Sequence, residues 1–198
     1  MEHPRVSHLA AAKRILRYVK GSLDFGILYP DELNGGAAEL LGYYDSDWCG
    51  DKDDRKSTTG YVFMVGGKPV SWCSKKQDVV ALSSCEAEYV AASVAACQAL
   101  WLETLLEELK LREIKPVKLL IDNKSAIDLA KHRVAHGRSK HIETKYHFLH
   151  DQVSKDRLEL QYCKTEEQLA DILTKPLTNA KFVELRCRLG VQSITNLN

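Results

Sequence analysis

The chain has 198 residues, of which 44% are hydrophobic and 28% charged, and its formal net charge is +1. This size fits one domain with or without an extra element, and the composition is that of a folded globular protein rather than a disordered one. A charge near zero neither indicates nor excludes a nucleic-acid partner. No apolar run approaches the roughly 18 residues of a membrane span, and the first residues lack an apolar export signal. We therefore expect an intracellular protein that is not secreted and has no membrane partner.

The six cysteines are widely spaced, with no CxxC pair and no compact Cys/His cluster. This spacing predicts reduced thiols rather than a zinc finger. One alternative is a zinc-binding module that uses His132, His136 and later histidines. No tetrahedral ligand set is complete there, which disfavours it.

An amphipathic helix is predicted at the start of the chain, over residues 9–19, and Gly21 follows as a helix C-cap. Residues 30–36 are a cluster of turn formers that reads as a linker. We therefore predict three parts, which are an N-terminal extension of residues 1–36, a main domain of residues 37–190 and a C-terminal tail of residues 191–198.

Short β-type runs follow the linker, at residues 40–44, 60–65, 69–73 and 79–82. Gly66 and Gly67 separate the middle two runs and predict a hairpin. A long helix over residues 84–110 comes next, and Ser83-x-x-Glu86 before it has the form of a capping box.

The second half alternates strands and helices. Its predicted elements are a strand at 117–121, helices at 123–132 and 143–153, a strand at 158–163, a helix opened by Thr165 and closed by Pro176, and a last helix at 179–189. This order predicts an α/β layer fold built on a mixed sheet.

Glu88 is the acid that helical periodicity singles out. One apolar stripe runs along the helix of residues 84–110, and its extension back by one turn falls on Glu88, so this side chain is predicted to face the sheet. Carboxylates are the ligands that Mg²⁺ prefers, and two such ions can hold the attacking and leaving oxygens of a phosphodiester. The alternative is a boundary residue paired with a lysine.

Three further acids are less well determined by their positions. Asp122 ends the strand of residues 117–121, where α/β folds gather ligands, although an aspartate there also serves as a helix N-cap. Asp45 and Asp47 share one strand face, and their positions do not choose between them. Asp171 lies early in its predicted helix, where the helix dipole also favours an acid.

Longer motifs surround these acids. They are GYYDSDW (42–48), DRKSTTGYVF (54–63), SWCSKKQ (71–77), ALSSCEAEY (81–89), IDNKSA (121–126), HGRSKHI (136–142) and EQLADILTKPL (167–177). Together they resemble the ribonuclease H domain of copia-type LTR retrotransposon Pol polyproteins. The resemblance implies a ribonuclease H-like fold, with a five-stranded mixed sheet flanked by helices and preceded here by a helical extension. Residues 11–21 look like the stretch that joins the reverse transcriptase to this domain.

The resemblance also implies a catalytic site. By motif, the four catalytic carboxylates fall on Asp45, Glu88, Asp122 and Asp171, which selects Asp45 over Asp47. They would hold two Mg²⁺ ions, for which Mn²⁺ can substitute. Asp45 would bridge both ions, Asp171 would hold the ion that activates the attacking water, and Glu88 and Asp122 would hold the ion at the leaving oxygen. The implied reaction is endonucleolytic hydrolysis of the RNA strand of an RNA/DNA hybrid during reverse transcription, leaving a 5′-phosphate and a 3′-hydroxyl.

The implied partners are this hybrid and the reverse transcriptase domain of the same polyprotein, in cytoplasmic virus-like particles and the nucleus. Contacts to 2′-hydroxyls would distinguish RNA from DNA. A locally basic stretch supplies the predicted backbone contacts, with Arg138, Lys140, His141 and Lys145. The alternative is a solvated basic surface.

The chain has no Tyr-x-Asp-Asp polymerase box, no gag-like zinc knuckle and no integrase segment, so we expect a C-terminal fragment or a separately encoded remnant. It also departs from the expected pattern at two places. Cys85 stands where the family usually has threonine, and because its side chain is small we expect little effect. Cellular enzymes of this fold carry a histidine in the loop that here reads Cys163-Lys-Thr165, which predicts less efficient product release. The alternative function is therefore a catalytically silent remnant that keeps the fold and nucleic-acid binding.

Overall fold

The computed structural model describes residues 3–29, 39–111, 115–131, 140–193 and 195, with residues 140–143 and 146 described by their backbone. Its elements are α1 (Val6–Lys20), β1 (Phe25–Ile27), β2 (Leu40–Asp47), β3 (Thr58–Val65), β4 (Lys68–Lys76), α2 (Ser84–Glu108), β5 (Val117–Ile121), α3 (Lys124–Lys131), α4 (Lys140–Ser154), β6 (Leu158–Tyr162), α5 (Asn179–Arg188) and β7 (Val191–Ser193). Two short 3-10 turns, Thr165–Glu167 and Leu169–Leu173, lie between β6 and α5.

The central sheet has five strands in the order β4-β3-β2-β5-β6. β2, β3 and β4 are antiparallel neighbours, whereas β5 pairs in parallel with both β2 and β6. The predicted α/β fold on a mixed five-stranded sheet is therefore confirmed. Because β2 and β5 run in the same direction, their carboxyl ends meet at one edge of the sheet, where α/β folds gather ligands.

One face of this sheet is covered by α2, with α3 and α4 beside it. Ser83 caps α2 by accepting a hydrogen bond from the Glu86 backbone N–H, and the Glu86 carboxylate accepts one from Leu82 N–H. A stripe of buried alanines on α2 packs against sheet residues such as Tyr44 and Phe63. Among the described helices, α2 is long and apolar enough to cross a membrane, and its packing on the sheet accounts for this composition.

The other face is covered by the turn Leu169–Leu173 and by α5. The prediction of one helix from Thr165 to Pro176 is wrong, because two 3-10 turns separated by Gln168 take its place. Gln168 has an extended backbone, and its buried side chain accepts from Ala170 N–H while donating to the Tyr44 carbonyl. Such bonds between side chain and backbone compete with a continuous helix.

The predicted strand at residues 79–82 is also wrong, since these residues form a loop between β4 and α2. Val80 and Leu82 are exposed, and Ala81 alone of the run is buried. The Ala81 carbonyl accepts a hydrogen bond from the Trp48 indole rather than from a neighbouring strand.

A second sheet of two strands joins the N-terminal and C-terminal parts of the described chain. β1 pairs antiparallel with β7, so that Phe25 lies opposite Ser193. These strands come from the predicted extension and the predicted tail, and the division into three parts stays a prediction. The helix α1, which precedes β1, has no buried residue.

Candidate metal centre

Three carboxylates meet at the sheet edge where β2 and β5 end. Asp45 lies in β2, Asp122 directly follows β5, and Glu88 lies in the first two turns of α2. One oxygen from each lies within 4.8 Å of the others. Asp45 and Glu88 are buried and Asp122 is half-buried. Residues distant in sequence therefore form one acidic cluster.

The Glu88 carboxylate is oriented by the strand beside it. Its Oε1 accepts a hydrogen bond of 3.2 Å from the backbone N–H of Ser46. Its Oε2 is buried without a hydrogen-bond partner in the described structure. A buried polar atom left this way is costly unless a proton or a cation satisfies it. An all-oxygen donor set with such an atom fits a hard divalent cation.

The electrostatics of Glu88 agree with this interpretation. Burial raises the pKa of Glu88 well above its usual value, and the charges of Asp45 and Asp122 raise it further. The Ser46 N–H and the Lys175 ammonium act in the opposite direction. Because three acids share one buried site, a positive charge placed among them relieves their repulsion.

Asp45 is held by the turn on the opposite face from α2. The Thr174 hydroxyl donates to Asp45 Oδ2. Gly60 of β3 is the cross-strand neighbour of Asp45 in β2, and a Cβ on Gly60 would come within 2.6 Å of Thr174 Cγ2. The missing side chain at Gly60 thus lets the segment 169–174 reach the site.

Asp171 lies in the turn Leu169–Leu173, where it is buried. Its Oδ1 is 2.9 Å from Lys175 Nζ, which is also 3.6 Å from Asp45 Oδ2. Burial raises the pKa of Asp171 to about 6, with the bond to Lys175 lowering it and the charge of Asp45 raising it. The structure thus brings Asp45, Glu88 and Asp122 together directly, and it connects Asp171 to them through a lysine.

Asp47, the alternative to Asp45, has another partner. Its carboxylate accepts a hydrogen bond from the backbone N–H of Thr58, its cross-strand neighbour. The side chain is therefore used to close the end of the β2–β3 pair, outside the cluster of three acids.

The predicted nucleic-acid contacts fall mostly on residues without described side chains. Arg138 lies outside the described residues, and Lys140 and His141 are described only by their backbone at the start of α4. Lys145 is half-buried on the same helix. His132 and His136, invoked for the zinc alternative, also lie outside the described residues. This interface stays a prediction.

Some residues at the site were not singled out from the sequence. Thr174 and Lys175 contact Asp45 and Asp171, and the four-residue spacing from Asp171 to Lys175 is the signal that could have found the lysine. The buried amide of Gln77 donates to Thr59 Oγ1 and to the Ala87 carbonyl, which ties β3 to α2 beside the site. Gln77 ends the motif SWCSKKQ, but that motif gave no role for its side chain.

No protein-family model matches the chain. The retrovirus-related Pol polyprotein from transposon RE1 of Arabidopsis thaliana is 41% identical over 194 residues, and that from transposon TNT 1-94 of Nicotiana tabacum is 40% identical over 194 residues. Both matches cover 98% of this chain, but the chain spans only 13% and 14% of the length of these relatives.

Solved structures show the same fold. The N-terminal RNase H domain of rv2228c from Mycobacterium tuberculosis matches with a TM-score of 0.50 and 13% identity, over 76% of this chain and 97% of that chain. LC11-RNase H1, isolated from compost, matches with a TM-score of 0.50 and 15% identity, over 74% of this chain and 96% of that chain. Identities this low show the fold alone.

The sheet, its flanking helices and the acidic cluster define a ribonuclease H-like domain with a candidate site for divalent metal ions. The likeness over nearly the whole chain gives the family: the chain belongs to the retrovirus-related Pol polyproteins of copia-type transposons. The resemblance found in the sequence motifs is thereby confirmed for family and fold.

Proposed function

We propose that this chain is a retrotransposon ribonuclease H that hydrolyses the RNA strand of RNA/DNA hybrids during reverse transcription. The cluster of Asp45, Glu88 and Asp122, with one oxygen of each within 4.8 Å of the others, carries this proposal. Three carboxylates this close together, at the carboxyl ends of parallel strands, are typical ligands of a hard divalent cation. Without a cation, they would be unfavourable neighbours in a folded core. Mg²⁺ is the ion proposed, with Mn²⁺ as a substitute.

Each of the four acids would have its own role in binding the metal ions. Asp45, held by the Thr174 hydroxyl, would bridge both ions, and Glu88 and Asp122 would hold the one at the leaving oxygen. Asp171 would hold the ion beside the attacking water. When bound, the ions supply Lewis acidity, which lowers the pKa of water and offsets negative charge building on the phosphate. The chain's own contribution is to fix the carboxylates and to leave Glu88 Oε2 without a hydrogen-bond partner, so that this oxygen can serve as a metal ligand.

The proposed substrate is bound through its phosphates, which carry affinity without sequence preference. Arg138, Lys140, His141 and Lys145 are the residues proposed to contact it. The reverse transcriptase of the same polyprotein is the second proposed partner, and an intracellular location goes with the proposal.

The alternative is a silent remnant that keeps the fold, and one assay distinguishes the two. A labelled RNA/DNA hybrid is incubated with the 198-residue chain in Mg²⁺ or Mn²⁺. We expect cleavage by the wild type and a loss of about a hundredfold or more in Asp122→Asn, as for removal of one well-placed charge-stabilising group. Asp53→Asn, which neutralises an exposed acid in the 48–57 loop, is the matched control and should retain the rate.

Two results would contradict the proposal. A folded wild type that cleaves no hybrid in either ion favours the silent remnant. Equal rates for the wild type and Asp122→Asn would show that the cluster is not the catalytic site.

A further inference from the structure

A lysine lies among the acids of the site. Nζ of Lys175 is 2.9 Å from Asp171 Oδ1 and 3.6 Å from Asp45 Oδ2. Both carboxylates are almost completely buried, whereas the lysine side chain is 35% exposed. Within the described part of the chain, the ion pairs made by Asp45 and Asp171 both come from this one ammonium group.

The local backbone builds this position. The N–H groups of Thr174 and Lys175 both donate to the Asp171 carbonyl, which closes the 3-10 turn. Pro176 follows and prevents the turn from continuing as a helix. Thr174 is at the same time bonded to Asp45, so the lysine Cα is fixed beside both acids. The contact therefore belongs to the turn's architecture and is not a chance meeting of surface charges.

The ammonium group and a metal ion would need the same oxygens. An ion bound by Asp45 and Asp171 would lie within a few ångströms of Nζ, and like charges at that distance repel strongly in a partly buried site. The lysine stem is long and flexible, and its partial exposure gives the ammonium group a path toward solvent. Binding of the ion and contact of the lysine are thus mutually exclusive.

We propose that Lys175 is an internal counter-cation of the metal centre. It neutralises Asp45 and Asp171 while no divalent ion is bound, and it withdraws when an ion binds, so that it sets the metal affinity of the site. This inference rests on the proposed function, since it takes these two acids as ligands. The ammonium group and the ion compete for the same two carboxylates. Removing the lysine must therefore tighten metal binding.

The test measures Mn²⁺ binding to the full chain by calorimetry, without nucleic acid. Lys175→Met, which keeps the length of the side chain but not its charge, is expected to bind Mn²⁺ about tenfold tighter than the wild type. Lys175→Arg keeps the charge and should stay within about twofold of the wild type on the same reasoning. Lys164→Met removes the same charge from an exposed loop position and should also leave the affinity unchanged.

A second readout is thermal unfolding in chelator and in saturating Mn²⁺. Lys175→Met should have the lower midpoint in chelator and the larger increase on adding Mn²⁺, since the ion then replaces a charge that is missing. Lys175→Gln serves as the second neutral variant where the methionine variant does not fold.

Equal or weaker Mn²⁺ binding by the neutral variants would overturn the proposal, as would an equal gain in Lys164→Met, which would indicate a general charge effect. Absence of Mn²⁺ binding in every variant would overturn it as well. A wild type that binds Mn²⁺ with the expected differences but cleaves no hybrid would reject the nuclease and leave the counter-cation supported.

Discussion

Glu88 and Asp171 are buried acids whose ionisation opposes folding. Burial raises the pKa of both carboxyls above the usual range, Glu88 well above it and Asp171 to about 6. Each ionised acid therefore destabilises the metal-free fold relative to its protonated form. A cation bound beside these carboxylates, as proposed above, would offset this destabilisation by compensating their negative charge.

The stability of the metal-free protein should consequently fall as pH rises. A carboxyl whose folded pKa is raised stabilises the fold fully below its unfolded pKa and loses that contribution as pH rises through the folded pKa. For Asp171 the window runs from 3.8 to about 6. The contribution lost is at most about 3 kcal/mol for a shift of this size.

Urea denaturation in chelator at several pH values checks this expectation. Asp171→Asn, which cannot ionise, should show a smaller fall in the free energy of unfolding between pH 4 and 6 than the wild type does. The same fall in both proteins would mean that Asp171 is not a source of the pH dependence.

At the scale of elements, the contact between β3 and the turn Leu169–Leu173 decides whether the site is complete. Gly60 leaves the space that this turn occupies, and a Cβ there would lie 2.9 Å from Leu173 Cβ and 3.2 Å from the Ala170 carbonyl. These neighbours are a side-chain stem and backbone, which cannot move cheaply. The turn carries Asp171 and is followed directly by Thr174, which bonds to Asp45, so a displacement of the turn moves both of these contacts.

Gly60→Ala should therefore damage both stability and metal binding. We expect a loss of about 1–3 kcal/mol in the free energy of unfolding, the usual cost of overpacking, together with weaker Mn²⁺ binding. Gly26→Ala is the matched control, because a Cβ at Gly26 meets nothing within 4 Å. If Gly60→Ala bound Mn²⁺ as tightly as Gly26→Ala, the docking of the turn would not be what positions the acids.

The elements also show which parts of the site a sequence can predict. The orientation of Glu88 was predictable because its helix keeps a 3.6-residue period, and the place of Asp122 because a strand ends there. The choice of Asp45 over Asp47 depends on an N–H of Thr58, which the neighbouring strand supplies. The predicted helix at 165–176 failed because the Gln168 side chain bonds to distant backbone, and no local pattern reports such a bond.

At the scale of the whole molecule, α1 is attached to the domain by few contacts. No residue of α1 is buried, and its Tyr18 ring meets Phe182 edge to face at 6.5 Å between centroids. By contrast, Val191 of β7 packs against the hydrophobic cluster between the sheet and α5, which contains Val62, Met64 and Leu185. The five-stranded sheet and its acidic cluster therefore depend little on the first 20 residues.

Deletion of residues 1–20 is expected to change the free energy of unfolding by less than about 1 kcal/mol, as for changes away from buried features, and to leave Mn²⁺ binding intact. Deletion of residues 191–198 takes away the strand partner of β1 and should cost more. Circular dichroism and urea denaturation of both truncated proteins check this. A greater loss from the first deletion would show that α1 belongs to the folding unit.

The pairing of β1 with β7 makes the path of the backbone nearly circular, because Phe25 and Ser193 lie opposite each other in one ribbon. We therefore expect a circularly permuted chain to keep the arrangement of the central strands. In such a chain a linker would join β7 to β1, and the new termini would lie at the hairpin of Gly66 and Gly67. In a longer polyprotein, segments joined on either side of the ribbon would leave the domain at one place on its surface, so the domain could be inserted or exchanged as a unit.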